Sequence, residues 1–445
     1  MRELEILLGG RYAGTLTQDR NGAVRFKYEL EYASDPDATP LSISMPLSVR
    51  EHQGRVVLAW MSNLLPDNER VLQRWGQEFH VSASSPFRLL EHVGGDVAGA
   101  ARLLRPEADE DDGSVEWLSD QDVAAVLAEL ALDPTAWTPR HALGHFSLAG
   151  AQAKTALRWD GKRWGRPTGS QATTHILKPS ASALEHQALN EHLCLAAARL
   201  AGLTAAVTRV QNFGGTTAIV VQRYDRVARD GHVLRVHQED FCQALGIMPA
   251  KKYQHDDGPS VADISGLIRR VTTAAQTELQ VERFVSALAF SWVIAGTDAH
   301  AKNYSLLLSG PQVRLAPIYD VHSVLPYLAG EVRGLEPGQV SVHRAQLAMR
   351  IGSKYGINDV ERQDWHQLAD EVGMERETVL TIVSDLAAQV PAAFARVAAD
   401  ERAAGLLDPA QFDFADQLAS LVAKRARECT NVLGGRPAFG SSRGR

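Results

Sequence analysis

The sequence has few cysteines, no excess of basic residues and no long apolar run. Three cysteines, Cys194, Cys242 and Cys429, occur in 445 residues and form no C-x-x-C pair, which favours a reduced, cytosolic compartment. The net charge of −7 gives no general attraction to nucleic acid or anionic membrane. The start of the chain lacks the basic and apolar regions of a signal peptide. The apolar run 284–295 is shorter than the roughly 18–20 residues of a membrane span. We therefore expect a cytoplasmic protein without a membrane partner.

Length and composition favour a globular protein of several domains. A chain of 445 residues is expected to form two or three domains, and 45% hydrophobic residues suffice for a sizeable core. Turn signals and composition divide it into residues 1–104, 105–225, 226–433 and 434–445. The first segment is predicted to be a small α+β unit, the third mostly helical and the last a disordered tail.

Local patterns predict the main elements of this division. Extended segments are expected at Leu4–Leu8, Arg11–Leu16 and Val24–Tyr32, the last two divided by an Asn21-Gly22 turn. A helix is predicted over 57–75, where Pro66 either kinks it or opens a second helix. Further expected elements are a strand at Gly144–Leu148, a helix at 184–200, and helices at 360–400 and 409–428.

The most informative stretch is IAGTDAHAKNYSLLLSGPQVRLAPIYD, residues 294–320. Asp298 and Asn303 stand in the frame D-x-x-x-x-N, and Asp320 closes the stretch. Between them, two extended runs joined by a Ser-Gly-Pro turn predict a β-hairpin. Asn303 and Asp320 would then emerge at the same end of the hairpin, where they could share one cation.

This spacing is the layout of a protein-kinase catalytic loop. In such loops an Asp orients or deprotonates the accepting hydroxyl, while an Asn and a second Asp bind Mg²⁺. Mg²⁺ prefers hard oxygen ligands and commonly takes only one or two from the protein. The alternative is a pair of turn acids and a capping Asn, because these residues are common in turns.

Upstream segments supply the other parts of a nucleotide site. The loop Ala149–Ala153 has small side chains that would let backbone N–H groups approach phosphate, although a plain hairpin fits it as well. Lys154 follows the loop, and Lys178 ends the β-run of THILKPS, like the strand lysine of kinases. The helix at 184–200 offers Glu185 and, preferably, Glu191 as the partner of Lys178.

Two other motifs are better explained as ordinary structural features than as phosphate- or metal-binding sites. The run Gly94–Ala100 has no Lys-Ser/Thr ending, so a tight turn is expected there rather than a phosphate loop. His237 and His255 lack a third ligand at metal spacing and are interpreted as ordinary polar residues.

Six segments together resemble the HipA family of bacterial toxin serine/threonine kinases: FSLAGAQAKTAL, THILKPS, QRYDR, HQEDFCQALG, GTDAHAKNYSLLL and LAPIYDVHSVLPYL. The resemblance covers nearly the whole chain. It implies an α+β, two-lobed protein-kinase-like fold, in which 1–104 is an N-terminal α+β subdomain, 105–225 the N-lobe and 226–433 a mostly helical C-lobe. It also implies a helix-turn-helix antitoxin of HipB type as the partner, operator DNA bound only through that partner, and a protein substrate such as an aminoacyl-tRNA synthetase.

The resemblance also assigns site residues. Asp298 and Lys178 become catalytic, Asn303 and Asp320 become Mg²⁺ ligands, and Ser147 becomes an autophosphorylated serine. ATP contacts are implied at the following positions: Ala149, Gly150, Ala151, Gln152, Ala153, Lys154, Lys178, Gln222, Arg223, Tyr224, His300, Lys302, Asn303, Tyr319 and Asp320. Gln222–Tyr224, in VVQRYDR, would be the hinge, whose backbone commonly holds adenine, and Gln222 replaces the Glu expected at its start. Two alternatives stay open, a catalytically silent nucleotide-binding co-repressor and a small-molecule phosphotransferase.

Overall fold

A computed structural model describes residues 1–106, 113–137, 146–180, 184–229, 231–330, 334–336, 338–405 and 407–436. Its helices are α1 (Leu30–Ser34), α2 (Arg55–Asn63), α3 (Glu69–Glu78), α4 (Pro86–Val93), α5 (Asp120–Leu132), α6 (Gln187–Leu200), α7 (Phe241–Leu245), α8 (Val261–Val271), α9 (Thr277–Val293), α10 (Arg362–Val372), α11 (Arg376–Ala404) and α12 (Pro409–Leu433).

Its strands are β1 (Arg2–Leu8), β2 (Arg11–Gln18), β3 (Val24–Tyr28), β4 (Glu51–Gln53), β5 (Ala101–Leu104), β6 (Val115–Leu118), β7 (Thr155–Trp159), β8 (Trp164–Pro167), β9 (His175–Pro179), β10 (Thr208–Phe213), β11 (Thr216–Gln222), β12 (Arg226–Arg229), β13 (His232–Arg235), β14 (His237–Asp240), β15 (Ser305–Ser309), β16 (Gln312–Leu315), β17 (Leu328–Ala329), β18 (Val340–Ser341), β19 (Gln346–Ile351) and β20 (Lys354–Gly356).

The chain forms two compact units, each assembled from several segments. Unit 1 consists of Met1–Ala181, Asn212–Lys252 and Ser305–Ala316, and unit 2 of Ser182–Gln211, Tyr253–Tyr304 and Pro317–Arg445. The predicted boundaries at residues 104 and 225 divide the chain into consecutive domains, whereas each of these units combines segments that are separate in the sequence. Residues 437–445, which make up most of the predicted tail, lie outside the described residues. The same is true of residues 107–112.

The N-terminal part of unit 1 is an antiparallel sheet in the order β4-β3-β2-β1-β5. The predicted turn between β2 and β3 forms, with the Asp19 carboxylate accepting the amides of Asn21 and Ala23. The prediction of one extended segment over Val24–Tyr32 is wrong at its end, because β3 stops at Tyr28 and α1 follows. The Glu29 carboxylate accepts the Leu30 amide at 2.9 Å and caps this helix.

Pro66 separates two helices, as the second alternative for residues 57–75 anticipated. Helix α2 ends at Asn63 and α3 begins at Glu69. Proline has no amide hydrogen to continue the first helix. The Asn68 side chain then accepts the Arg70 amide at 3.0 Å, which caps the second.

A second sheet of unit 1 contains neighbouring strands in the order β11-β9-β7-β8-β6. Helix α5 packs its apolar residues Val123 and Leu127 against this sheet. Lys178 lies in β9, as predicted. The predicted strand at Gly144–Leu148 is wrong where it can be examined: residues 138–145 are outside the described part, and Phe146 makes only an isolated bridge with Asp96.

The prediction that residues after 225 are mostly helical is wrong for the first segment. Strands β12 and β13 form a hairpin, and β14 joins the predicted hairpin of β15 and β16. Helix α7 begins only after Asp240, whose carboxylate accepts the Gln243 amide at 2.8 Å. The sequence HQED is therefore a strand and a helix cap.

Unit 2 is mainly helical. The apolar run 284–295 falls in α9, which is buried as expected. The predicted helix 360–400 is two helices, because Gly373 ends α10 in a left-handed conformation (φ 69°) that favours glycine. One described helix, α11, is long and apolar enough to cross a membrane, but 44% of its apolar window is buried. It packs against α6, α9, α10 and α12.

Candidate active site

The loop after α9 is folded back by its own backbone. The Gly296 amide donates to the Ser291 carbonyl at 2.6 Å, and Ala295 has a positive φ of 52°. The Ser323 hydroxyl donates to the Ile294 carbonyl at 2.6 Å, and the Val324 amide donates to the Ala295 carbonyl at 3.2 Å. These bonds fix the start of the loop that carries Asp298 to the segment that follows Asp320.

Asn303 is bonded to the backbone of Asp298, as expected for a rigid D-x-x-x-x-N loop. Its side-chain Nδ2 donates to the Asp298 carbonyl at 2.5 Å, and its backbone N–H donates to the His300 carbonyl at 2.9 Å. Asn303 is only 7% exposed. Because the Nδ2 group is used for this bond, the amide oxygen is the atom that remains for a cation.

Asp298, Asn303 and Asp320 line one cleft of about 350 Å³ within unit 2. Asp320 has a φ of 56°, in the left-handed region that Asp tolerates better than most residues. Such a conformation persists only where the surroundings impose it, and it is frequent at functional sites. The sequence predicted that Asn303 and Asp320 emerge at the same end of the hairpin, and the structure places both of them, with Asp298, in the lining of this cleft. Their chemical roles stay predictions.

Two other predicted residues hold the same loop. The Tyr319 hydroxyl donates to the Lys302 carbonyl at 2.7 Å, which joins the loop to the residue before Asp320. His300 is 4% exposed, and its Nε2 lies 3.9 Å from Asp298 Oδ1.

Sequence reasoning missed Tyr253, which contacts the central carboxylate. Its hydroxyl donates to Asp298 Oδ1 at 2.6 Å. Tyr253 stands in KKYQHDDGPS, a segment that carries no spacing signal linking it to the distant Asp298. His255, which sequence analysis interpreted as an ordinary polar residue, stacks against Tyr253 with ring centroids 5.3 Å apart.

In unit 1, the two predicted phosphate lysines lie at the same end of neighbouring strands. Thr155 pairs with Leu177, so the next positions, Lys154 and Lys178, are adjacent. Both are nearly buried, at 4% and 5% exposure. A lysine on a strand contacts the nucleotide phosphates in protein kinases, and this role stays a prediction for Lys154 and Lys178.

The predicted nucleotide loop, Ala149–Ala153, packs closely against the Lys154 side chain. Lys154 Nζ donates to the Ala149 carbonyl at 2.6 Å and lies 5.1 Å from the centre of the Trp137 ring. Gly150 has a φ of 105°, and a Cβ there would lie 2.6 Å from Lys154 Nζ. A larger residue at this position would therefore displace the lysine.

Ser147 is fully buried beside this loop. Its hydroxyl donates to the Leu64 carbonyl at 2.7 Å, and its amide donates to the Asp96 carbonyl at 3.1 Å. The Gly150 carbonyl accepts the Asp67 amide at 3.0 Å. Ser147 and the loop are thus hydrogen-bonded to residues 64–68 (LLPDN) of unit 1.

The predicted hinge residues have distinct environments. Gln222 is exposed at the end of β11. The Arg223 amide already donates to the Thr174 carbonyl at 2.9 Å, and the Tyr224 hydroxyl donates to Gln238 Oε1. An adenine contact through the Arg223 amide is therefore not open in this conformation.

The Arg223 side chain belongs to a buried ionic network that sequence analysis also missed. Asp96 and Asp225 bond to Arg223 and Arg226 here, and Arg235 also contacts Asp96. Burial opposes ionisation of Asp96, but the three guanidinium groups more than offset it and hold its pKa far below the ordinary value.

The two candidates for the partner of Lys178 differ in burial. Glu191 on α6 is 3% exposed, whereas the Glu185 side chain is 86% exposed. The preference for Glu191 stays a prediction that its burial supports.

Both halves of the chain match known family models. The HipA N-terminal domain matches residues 4–104, and the HipA-like C-terminal domain matches residues 146–394. A putative kinase of Sinorhizobium fredii is 35% identical over 407 residues, which cover 90% of this chain and 93% of the relative. The serine/threonine-protein kinase toxin HipA of Shewanella oneidensis is 27% identical over 449 residues, covering 97% and 96%.

A solved structure agrees with these matches over the whole length. The HipA chain in the complex of HipA, HipB and operator DNA from Shewanella oneidensis superimposes with a TM-score of 0.80 at 25% identity, covering 97% of both chains. The predicted kinase-like α+β fold and the predicted enzyme class are confirmed by this agreement and by the kinase relatives. The chain belongs to the HipA family of protein kinases.

Proposed function

We propose that this chain is an ATP- and Mg²⁺-dependent serine/threonine protein kinase that acts as the toxin of a toxin–antitoxin pair. The observation that carries the proposal is the cleft of unit 2, which is lined by Asp298, Asn303 and Asp320 and in which Asn303 is hydrogen-bonded to the Asp298 carbonyl. Kinase relatives imply ATP as the phosphate donor.

The residues of the cleft fit a magnesium ion. Asn303 offers its amide oxygen because its Nδ2 group bonds to Asp298, and Asp320 offers a carboxylate. These are the hard oxygen ligands that Mg²⁺ prefers, in the small number it takes from proteins. When bound, ATP·Mg²⁺ supplies the γ-phosphoryl group and neutralises part of its charge.

The chain's own groups have separate tasks in this proposal. Asp298 orients the accepting hydroxyl and takes its proton, while Lys154 and Lys178 offset phosphate charge. The remaining nucleotide contacts are proposed for residues 149–153, 222–224, His300, Lys302 and Tyr319. For Arg223 this contact is restricted to groups other than its amide, which bonds to Thr174.

Removal of a proposed metal ligand tests the magnesium site directly. Asp320→Ala is expected to weaken Mg²⁺-dependent ATP binding, measured by calorimetry at several Mg²⁺ concentrations, without altering metal-free nucleotide binding. Asp359→Ala, which changes an exposed residue of the same unit outside the lining of the cleft, is the matched control. Unchanged magnesium dependence in Asp320→Ala would rule out Asp320 as a ligand.

Transfer of labelled γ-phosphate to protein separates the kinase from the alternatives. A nucleotide-binding co-repressor would bind ATP without transfer, and a small-molecule phosphotransferase would label no protein. Incubation with bacterial lysate, followed by mapping of new phosphoserine and phosphothreonine sites, would identify the substrate. An aminoacyl-tRNA synthetase is the substrate class we propose to examine first.

Autophosphorylation of Ser147 is a finer part of the proposal. A phosphate adds about −1.5 to −2 charges and three oxygens. Ser147 is fully buried with its hydroxyl on the Leu64 carbonyl, so a phosphorylated segment would not fit its present position. The modified loop should leave, and ATP affinity should fall. Intact-mass and peptide mapping of wild type and Asp298→Asn, with ATP titrations on each form, test this. Phosphorylated protein with normal ATP affinity would contradict it.

The proposed partner is a helix-turn-helix antitoxin of HipB type, with operator DNA bound through that partner, in the cytoplasm. The support is the relative's structure, which contains HipA, HipB and operator DNA. Co-expression with a candidate antitoxin of HipB type, followed by size-exclusion chromatography with and without operator DNA, tests the assembly. Direct operator binding by this chain alone would contradict the proposal.

A further inference from the structure

Tyr253 contacts the proposed catalytic carboxylate directly. Its hydroxyl donates to Asp298 Oδ1 at 2.6 Å, the short distance of a hydrogen bond to a charged acceptor. The His300 ring stands edge-on to the Tyr253 ring at 4.9 Å and 84°. The phenol is therefore held between a buried histidine and the carboxylate.

The backbone of Tyr253 is fixed by a tight turn. Its carbonyl accepts the amides of Asp256 and Gly258 at 3.1 and 3.0 Å. The next side chain, Gln254, accepts the Arg350 amide of β19 at 2.9 Å through Oε1. These bonds anchor the turn to a strand of unit 2, so the phenol is presented from a rigid support rather than a free loop.

The hydrogen bond engages only one oxygen of Asp298. The described residues bond Asp298 Oδ1 to Tyr253, and the Asp298 side chain is 40% exposed. The carboxylate of an aspartate turns about its Cβ–Cγ bond unless one oxygen is held. Fixing Oδ1 leaves Oδ2 in a defined direction for an accepting hydroxyl.

We propose that Tyr253 is a positioning residue for phosphoryl transfer, which orients Asp298 through Oδ1 so that Oδ2 meets the accepting hydroxyl. This inference rests on the proposed kinase function. It assigns Tyr253 no contact with ATP or metal. Its loss should therefore reduce the turnover rate and leave nucleotide binding unchanged. Misplacement of a reacting group costs up to about 10²-fold in rate.

The test compares Tyr253→Phe with wild type, using labelled ATP and dephosphorylated casein as the acceptor. Label is counted in casein and in the chain itself. We expect kcat to fall roughly 10- to 100-fold, with KM for ATP, the Kd for ATP and the thermal midpoint unchanged. Phenylalanine keeps the ring contacts with His255 and His300. Tyr355→Phe is the matched control, because Tyr355 packs edge-on to His255 at 6.1 Å in the same aromatic cluster.

A double variant distinguishes positioning from a general structural effect. If Tyr253 acts through Asp298, then Tyr253→Phe should slow Asp298→Asn no further. NMR of protein labelled with ¹³C at tyrosine Cζ gives a readout independent of activity. Asp298→Asn should shift the resonance that Tyr253→Phe removes and should leave that of Tyr355 in place.

Each outcome is decisive. No label incorporated by wild type would overturn the proposed kinase function itself. Wild-type transfer with an unchanged rate in Tyr253→Phe would overturn only the role of Tyr253, as would equal slowing in the Asp298→Asn background. A faster Tyr253→Phe would show that the tyrosine competes with the acceptor and would also overturn the inference.

Discussion

Two clusters centred on aspartate, one in each unit, differ in how completely their oxygens are used. In unit 1, Asp96 Oδ1 accepts from Arg226 at 2.8 Å, and Oδ2 accepts from the Thr173 amide and hydroxyl at 3.0 and 2.7 Å. In unit 2, the side chain of Asp298 accepts one hydrogen bond from the described residues, donated by Tyr253, and is partly exposed. A saturated carboxylate holds a fold together, whereas a carboxylate with an open oxygen can bind a reactant.

The largest expected effect is on the open cluster. Asp298→Asn should slow phosphoryl transfer by about 10²- to 10⁴-fold, because a positioned acid/base group is lost. The amide oxygen can still accept the Tyr253 hydroxyl, so ATP affinity and the thermal midpoint should stay near wild type. Single-turnover transfer and thermal unfolding measure the two quantities.

Asp256→Asn is the control for this change. It alters an exposed acid in the turn that carries Tyr253 and should leave transfer unaffected. Wild-type turnover in Asp298→Asn would remove Asp298 from the mechanism and with it the contrast between the clusters.

The saturated cluster should respond in stability instead. Asp96→Ala leaves the buried Arg223 and Arg226 and the partly buried Arg235 without their shared carboxylate, and breaking such a network costs about 3–5 kcal/mol. Denaturant unfolding followed by tryptophan fluorescence measures the loss. Asp370→Ala, which breaks the exposed pair with Arg376, should change stability little. Equal effects of the two variants would show that burial does not govern the difference.

A further expected effect is a pH dependence within unit 1. Burial raises the pKa of Glu239 to about 8, against hydrogen bonds from the Ser42 hydroxyl and the Ile43 amide. The folded state keeps this proton up to about pH 8, whereas the unfolded chain releases it near its ordinary value of 4.5. Stability from this group is therefore full below pH 4.5 and falls by about 1.4 kcal/mol per pH unit toward pH 8.

His237, on the same face of β14, opposes this slope at lower pH. Its ring nitrogens bond to the Leu41 carbonyl and the Ala100 amide, and burial lowers its pKa to about 4. Its contribution is present above its ordinary value of 6.5 and is lost as the pH falls toward 4. The two slopes offset each other between pH 4.5 and 6.5, so the fall from Glu239 should appear between pH 6.5 and 8.

Glu239→Gln isolates the glutamate. The amide has a similar shape and does not titrate, so the stability difference between wild type and this variant should change with pH at the slope given above. Denaturant unfolding at pH 5, 6.5 and 8 provides the comparison. A difference that is constant over this range would show that Glu239 does not keep its proton in the folded state.

The sequence predicted best those features that depend on residues close together in the chain. Asp298, Asn303 and Asp320 could be found because their spacing along one loop and hairpin is itself the signal. Lys178 was placed in its strand because Pro179 and the apolar residues before it are local. The error at Val24–Tyr32 arose where the Glu29 cap ends an extended segment and begins a helix. After residue 225, Asp240 likewise begins a helix only after strand β14.

The sequence by itself determined the motif order of a kinase and the family, and it supplied the residues proposed to bind nucleotide and metal. Only the tertiary structure decided that Tyr253 holds Asp298, that Ser147 is buried on Leu64, and that Asp96 unites three arginines. The physical reason is that a spacing motif is encoded by neighbouring residues. These contacts instead join positions far apart in the chain, and packing brings them together only once each unit has folded.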